Sequence, residues 1–166
     1  MAYRNKVYVA FDGDEDIKYY RLLTAWAANS HNNFDLNNAH DLNKAYDSSS
    51  EESIKRQLRV RFSNSKLFII LIGEHTKNLR KFVKWEIETA IRLEIPIIAV
   101  NINGKKQADD LMPTLLRNNL SLVIPYKEAA INYAMVNWPE SDKEYRKNQD
   151  HRQYHYNDIV YDSLGI

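Results

Sequence analysis

Cysteine is absent from this 166-residue chain, and glycine is scarce. The absence of cysteine excludes disulfide bonds, thiolate metal sites and cysteine nucleophiles, and it suits a protein of a reducing compartment. None of the 4 glycines builds the GxGxxG or GxxxxGK[ST] pattern that holds nucleotide phosphates. A glycine-rich dinucleotide fold or a P-loop is therefore not expected, and any nucleotide must be held by other means.

The chain also lacks an excess of charge and a long apolar run. Its 23 basic and 22 acidic side chains give a formal charge of +1, which provides no overall field to attract nucleic acid or an anionic membrane. The basic stretch KRQLRVR (55–61) is typical of a solvated helix face. The first apolar run is too short for a signal peptide or a membrane span. We expect a cytoplasmic protein with neither nucleic acid nor membrane as partner.

What the sequence does contain is a series of short, nearly continuous apolar runs rich in β-branched residues. Such runs indicate strands that are buried on both faces, as in a parallel sheet covered by helices. The segment at 32–40 is a weaker strand, because Phe34 and Leu36 alternate with polar residues. The four strong runs are KVYVAF (6–11), KLFIILIG (66–73), IPIIAVNI (95–102) and LSLVIPY (120–126).

Helical patterns separate these strands. They cover 17–30, 48–62 and 79–94, and Ser49 stands three residues before Glu52 in a capping-box spacing. The alternating order predicts an α/β fold, a three-layer doubly wound parallel sheet of about five strands in the flavodoxin-like order 2-1-3-4-5. We expect one domain over 1–166, with a core at about 4–126 and a C-terminal helical extension at 127–166 that breaks at Pro139.

Glu86 stands out in the helix that follows the third strand. On a helical wheel it falls within the apolar stripe, so its carboxylate is expected in a partly desolvated position beside the ligand crevice at the carboxyl ends of the strands. A border glutamate that is paired with Arg80 or Arg92 is the structural alternative. The apolar residues around it are Phe82, Val83, Ile87, Ala90, Ile91 and Leu93.

An acidic loop follows the first strand. Its carboxylates could hold a divalent ion or a phosphoacceptor, as in receiver domains, or simply cap the first helix, and the strand that ends in Gly73-Glu74-His75 lacks the aspartate a receiver needs. The histidines form no tight ligand spacing, so no metal site is predicted. The acids are Asp12, Asp14, Glu15 and Asp16, and the histidines are His31, His40, His75, His151 and His155.

The chain resembles the TIR-like family through VYVAFDGDED, LFIILIGEHT and KFVKWEIETAI followed by IPIIAVNI. More narrowly, it is similar to the compact ThsB proteins of the bacterial antiphage system Thoeris, over roughly residues 4–126. The resemblance implies that Glu86 acts on the ribose of NAD beside nicotinamide. It also implies that Phe82 holds the place where many relatives have tryptophan, and that residues 39–46 form the loop after the second strand.

The expected activity is therefore that of an NAD glycohydrolase or ADP-ribosyl cyclase, with NAD as a substrate and no bound cofactor. Its product would be an ADP-ribose-type nucleotide that activates an effector protein. Glu86 is the expected catalytic residue. The alternatives are a non-catalytic module that assembles with itself or a partner, and a receiver-like phosphoprotein. The expected walls of the substrate crevice are Phe11, Asp12, His75, Phe82 and Trp85.

Overall fold

A computed structural model describes residues 6–29, 35–37 and 50–166 of the chain. Within these ranges six parallel strands form one sheet in the order β2-β1-β3-β4-β5-β6. The predicted order of the first five strands is confirmed, and the C-terminal extension adds a sixth. The strands are β1 (Lys6–Ala10), β2 (Asp35–Asn37), β3 (Ser65–Ile72), β4 (Ile97–Asn101), β5 (Ser121–Pro125) and β6 (Gln153–His155).

Helices connect the strands on both faces of the sheet. A single 3-10 turn, Thr76–Asn78, lies between β3 and the helix that carries Glu86. No helix in the described ranges is both long and apolar enough to cross a membrane. The helices are α1 (Ile17–Asn29), α2 (Glu51–Ser63), α3 (Val83–Arg92), α4 (Thr114–Arg117), α5 (Glu128–Lys147) and α6 (Asp158–Ser163).

The two faces of the sheet carry separate apolar clusters, because side chains alternate along each strand. In β3, Phe68 and Ile70 point to the first face, which α2 and α3 cover, whereas Leu67 and Ile69 point to the second face. Residues of α1 and α5 cover the second face. Both sides of the central strands are thus buried, which explains why their sequences are continuously apolar rather than alternating.

Two details of the helices differ from the sequence prediction. The N-cap of α2 is Ser50, whose hydroxyl accepts a hydrogen bond from the Ser53 amide at 3.2 Å, while Ser49 lies outside the described residues. Helix α5 runs through Pro139 instead of breaking there. Trp138 and Met135, which precede the proline, are buried in the second cluster. This packing holds the helix together although proline removes one of its backbone hydrogen bonds.

The C-terminal extension is not purely helical and belongs to the same core. Its strand β6 pairs with β5 through the register Ser121 to Gln153. Its helix α5 contributes four buried residues to the second cluster, and Tyr161 of α6 is fully buried. Phe34 of the weaker predicted strand and the loop expected at 39–46 lie outside the described residues. The four buried residues of α5 are Ile131, Ala134, Met135 and Trp138.

Candidate active site

Glu86 lies in the first turn of α3, on the side that faces the sheet. The helix begins at Val83 and ends at Arg92, and only 2% of Glu86 is exposed. Its backbone amide donates to the Phe82 carbonyl at 2.7 Å, one turn earlier. The Glu86 carboxylate therefore points into the protein interior, as the sequence predicts. Leu93, which the helical wheel placed on the same stripe, is 47% exposed because it follows the last helical residue.

Burial alters the acidity of Glu86. Loss of water around the carboxylate raises its pKa to about 7, and a hydrogen bond from the Tyr8 hydroxyl of β1 opposes that shift. Desolvation disfavours the charged form, whereas a donor to the carboxylate favours it. At neutral pH a pKa of about 7 leaves both the protonated and the ionised form of Glu86 populated, and the ionised form is the one that can stabilise a developing positive charge.

Aromatic rings line the interior around Tyr8. The Tyr8 ring stacks on Phe62 of α2, with 3.9 Å between the ring centroids, and lies 5.7 Å from the ring of Phe68. All three rings are almost completely buried. An electrostatic interaction is stronger in such a dry, apolar setting than in water, so a carboxylate here can stabilise a nearby positive charge effectively.

Phe82 and Trp85 flank Glu86 on α3 but face different surroundings. Phe82 is the half-buried N-cap residue, packed against the first cluster, and the Lys81 amine lies 5.4 Å from its ring centroid. Trp85 packs edge-on against Phe62 and lies under two cationic groups of α2. The Lys55 amine and the Arg59 guanidinium are each 5.8 Å from its ring centroid. The indole is therefore a contact between α2 and α3.

Asp12 and His75 follow the carboxyl ends of β1 and β3, and each lies near enough to Asp16 to affect its charge. Asp12 is buried, and its Oδ1 accepts a hydrogen bond from the Asp14 amide at 3.1 Å, so it caps the turn that leads into α1. Asp16 is also buried, and one carboxylate oxygen has no hydrogen-bond partner within the described residues. Burial, then the charges of Asp12 and Glu15, raise the pKa of Asp16 to about 6, while His75 opposes the shift.

Phe11 lies on the second face of the sheet, away from Glu86. Its ring is buried and stacks on Tyr20 of α1, with 4.6 Å between the centroids. The predicted wall residues are consequently divided into three locations. Phe82 and Trp85 lie next to Glu86 in the chain. Asp12 and His75 lie near Asp16, beyond the ends of β1 and β3. Phe11 belongs to the core under α1.

Tyr8 is the residue at this site that the sequence prediction missed. Its signal was the side-chain alternation within β1, which places residues 8 and 10 on the face opposite to Val7 and Val9. That α3 covers this face could not be read from β1 alone. In the described residues, no group of three or more histidine or acidic side chains is arranged to hold a metal ion.

A comparison with known protein families identifies the family of the chain. A family model described as the TIR-like domain of the Thoeris protein ThsB matches residues 8–107. The chain belongs to this TIR-like family of Thoeris antiphage defence. The matched range of the TIR-like domain begins in β1, at Tyr8, and ends in the loop after β4. It therefore includes Glu86, Tyr8 and every predicted wall residue, whereas α4, β5 and the C-terminal extension lie beyond it.

Proposed function

We propose that this TIR-like domain cleaves NAD at the bond between nicotinamide and ribose, with Glu86 as the catalytic residue. The observation that carries the proposal is the buried Glu86 carboxylate, which faces Tyr8 in an aromatic interior and has a pKa of about 7. NAD is a consumed substrate in this proposal, which is compatible with a sequence that lacks a glycine-rich phosphate loop.

The reaction needs only one carboxylate side chain and no separate proton donor. As the bond between ribose C1′ and the pyridinium nitrogen breaks, both electrons go to nitrogen and neutral nicotinamide leaves, so no proton has to be donated. Positive charge develops on the ribose, and an ionised Glu86 stabilises it or holds a ribose hydroxyl. Attack on C1′ by water gives ADP-ribose and a proton. Attack by a nucleophile within the same molecule gives a cyclic product, and either nucleotide would serve as a signal to a separate effector protein.

The burial of Glu86 also bears on how the activity would be controlled. With 2% of the residue exposed, the ribose reaches the carboxylate only after a neighbouring segment moves. We propose that a trigger or self-association supplies this movement. Movement caused by self-association would make the rate of nicotinamide release per protein molecule rise with protein concentration, whereas movement caused by a trigger would not.

The test compares the wild-type protein with Glu86→Gln, using NAD and chromatographic measurement of released nicotinamide. Removing a group that stabilises the transition state is expected to lower the rate by about 100-fold or more. Glu88→Gln is the matched control, because Glu88 is exposed and forms a long ion pair with Lys84, at 3.9 Å. We expect this control to keep the wild-type rate within about twofold.

Equal release by wild-type protein and a folded Glu86→Gln variant would exclude Glu86 from the chemistry. Circular dichroism and thermal unfolding establish that both variants are folded. Mass spectrometry of the nucleotide product then distinguishes hydrolysis from cyclisation, because the cyclic product is lighter by one water molecule.

A second function, a non-catalytic assembly module, is favoured by one observation. The Trp85 ring contacts Lys55, Arg59 and Phe62, so these side chains occupy the space in which nicotinamide would stack on the indole. Sedimentation velocity over a range of protein concentrations, with nicotinamide measured in the same samples, separates the two functions. Assembly without turnover at any concentration supports the module, whereas turnover by the wild type excludes it.

A further inference from the structure

A cleft of about 820 Å³ lies on a different flank of α3 from the one that carries Glu86 and Trp85. One wall is the 3-10 turn (Thr76–Asn78) with the first turns of α3, and the other wall runs from Asp110 to Arg117. This volume falls within the range of cavities that hold small organic ligands and cofactors. It is large enough for a base, a sugar and phosphates together.

The chemistry of the cleft is divided between its floor and its rim. The floor is apolar and includes the buried residues Val83, Ile87 and Met112. The rim carries four cationic side chains against one carboxylate, that of Asp110, although the chain as a whole has a formal charge of only +1. This local concentration of charge attracts anions. The four cations are Lys77, Arg80, Lys84 and Arg117.

The loop beside the cleft is held in shape by its own hydrogen bonds. Buried Asn101, at the end of β4, donates from Nδ2 to the Lys105 and Gln107 carbonyls, both at 2.9 Å. Asp109 accepts from the Asn103 side chain at 2.9 Å and from the Leu111 amide at 3.0 Å. A ligand would therefore meet a wall that is already ordered, which reduces the entropy lost on binding.

Cations at the rim retain donors for a ligand. Lys77 Nζ donates to the Asp110 carbonyl at 2.7 Å, which ties the two walls together. The Arg117 guanidinium donates to the Asp109 carbonyl on the side of the second wall. Each of these groups has further N–H bonds. Arg80 forms no ion pair among the described residues, and the pair of Lys84 with Glu88 is long, at 3.9 Å, and exposed.

We propose that this cleft binds a phosphorylated nucleotide, with the base on the apolar floor and the phosphates at the rim. Arginine and lysine are the side chains best suited to phosphate oxygens, and the apolar floor suits the flat face of a base. The site is separate from Glu86, so its occupancy does not depend on NAD cleavage. Its second wall lies beyond residue 107, where the family match ends, and is thus not covered by that match.

Calorimetric titration with ADP tests the proposal, because ADP contains the base and the phosphates but no nicotinamide. We expect ADP to bind and adenosine, which lacks phosphates, to bind about tenfold or more weakly. The double variant Arg80→Gln/Lys84→Gln is expected to weaken ADP binding about tenfold or more. Both side chains are exposed, so the fold is expected to be unaffected.

The matched control is Lys143→Gln/Lys147→Gln, which removes two exposed cations from α5 on the second face of the sheet. We expect ADP affinity in this control to stay within about twofold of the wild type. Hydrogen exchange with ADP should show protection at 76–84 and 110–117. These results are obtained whether or not the protein cleaves NAD, so failure here and failure of the proposed activity are distinguishable.

Three outcomes would overturn the proposal. They are equal affinity for ADP and adenosine, equal weakening by the two double variants, and no heat of binding at millimolar ADP. A polyglutamate peptide is titrated in parallel. Binding of that peptide without binding of ADP would identify a groove for acidic proteins and would also contradict a nucleotide site.

Discussion

At the scale of single residues, the unusual feature is a glutamate that is buried without a cationic partner in the described structure. The Tyr8 hydroxyl is a neutral donor and offsets only part of the desolvation, so the pKa of Glu86 rises from 4.5 to about 7. Burial of this carboxylate lowers the free energy of unfolding relative to a neutral or apolar side chain at the same position. Retention of the acid at a stability cost is what a catalytic role would require.

This pKa shift predicts how stability depends on pH. Between pH 4.5 and pH 7 the unfolded chain releases the Glu86 proton while the folded chain keeps it, so the free energy of unfolding falls as the pH rises. The full loss, complete above pH 7, is about 3 kcal/mol. Glu86→Gln has no such proton. In urea unfolding, the stability of this variant relative to the wild type should therefore increase by about 3 kcal/mol from pH 4 to pH 8.

Using the difference between variant and wild type cancels the contribution of other titrating groups. Glu88→Gln, measured in parallel, removes an exposed carboxylate from the same helix and controls for the change of charge. A constant difference for Glu86→Gln over the same range would mean that Glu86 titrates in the folded protein as it does in water.

At the scale of elements, the end of β3 meets the start of α1 through a close contact. A Cβ atom at Gly73 would lie 2.1 Å from Asp16 Oδ2 and 2.7 Å from Asp16 Cγ. The Gly73 amide also donates to the Thr76 hydroxyl at 2.9 Å, which fixes the turn after β3. Glycine at the end of β3 thus allows the buried Asp16 carboxylate to occupy the space beside it.

We expect Gly73→Ala to lower the free energy of unfolding by about 1 to 3 kcal/mol, because the new methyl group collides with Asp16. In an Asp16→Ala background that collision is absent. The loss in free energy of unfolding caused by Gly73→Ala should therefore be smaller by about 1 kcal/mol or more. Urea unfolding of the four proteins in this double-mutant cycle measures the coupling. An equal cost of Gly73→Ala in both backgrounds would show that Asp16 is not the obstacle.

At the scale of the whole molecule, the C-terminal extension adds an edge strand to the sheet and, together with α1, covers its second face. Helix α5 packs on the second face, where Trp138 is only 2% exposed, and β6 extends the sheet beyond β5. The family match ends at residue 107, well before these elements. The core of this TIR-like domain therefore reaches beyond the matched residues, and the whole chain should unfold as one unit.

Trp138→Ala tests this cooperativity. Loss of the buried indole is expected to lower the free energy of unfolding by about 3 to 5 kcal/mol in a single transition. Val136→Ala, on the same helix but 41% exposed, should change it by about 0.5 kcal/mol or less. Far-ultraviolet circular dichroism and tryptophan fluorescence in urea provide two probes. Separate transitions by the two probes would show that the extension unfolds independently.

The amino-acid sequence by itself determined the order of the first five strands, the two-sided burial of the sheet and the inward direction of Glu86. The strand order follows from the alternation of strands and helices with right-handed crossovers. The two-sided burial and the direction of Glu86 follow from the period of the apolar residues within each segment. The tertiary structure decided which segments contact each other. It places Tyr8 opposite Glu86, Trp85 beneath Lys55 and Arg59, and Phe11 under α1. It also decided that α5 continues through Pro139 and that β6 joins the sheet. Such outcomes depend on contacts between distant segments, and neither propensity nor periodicity within one segment contains them.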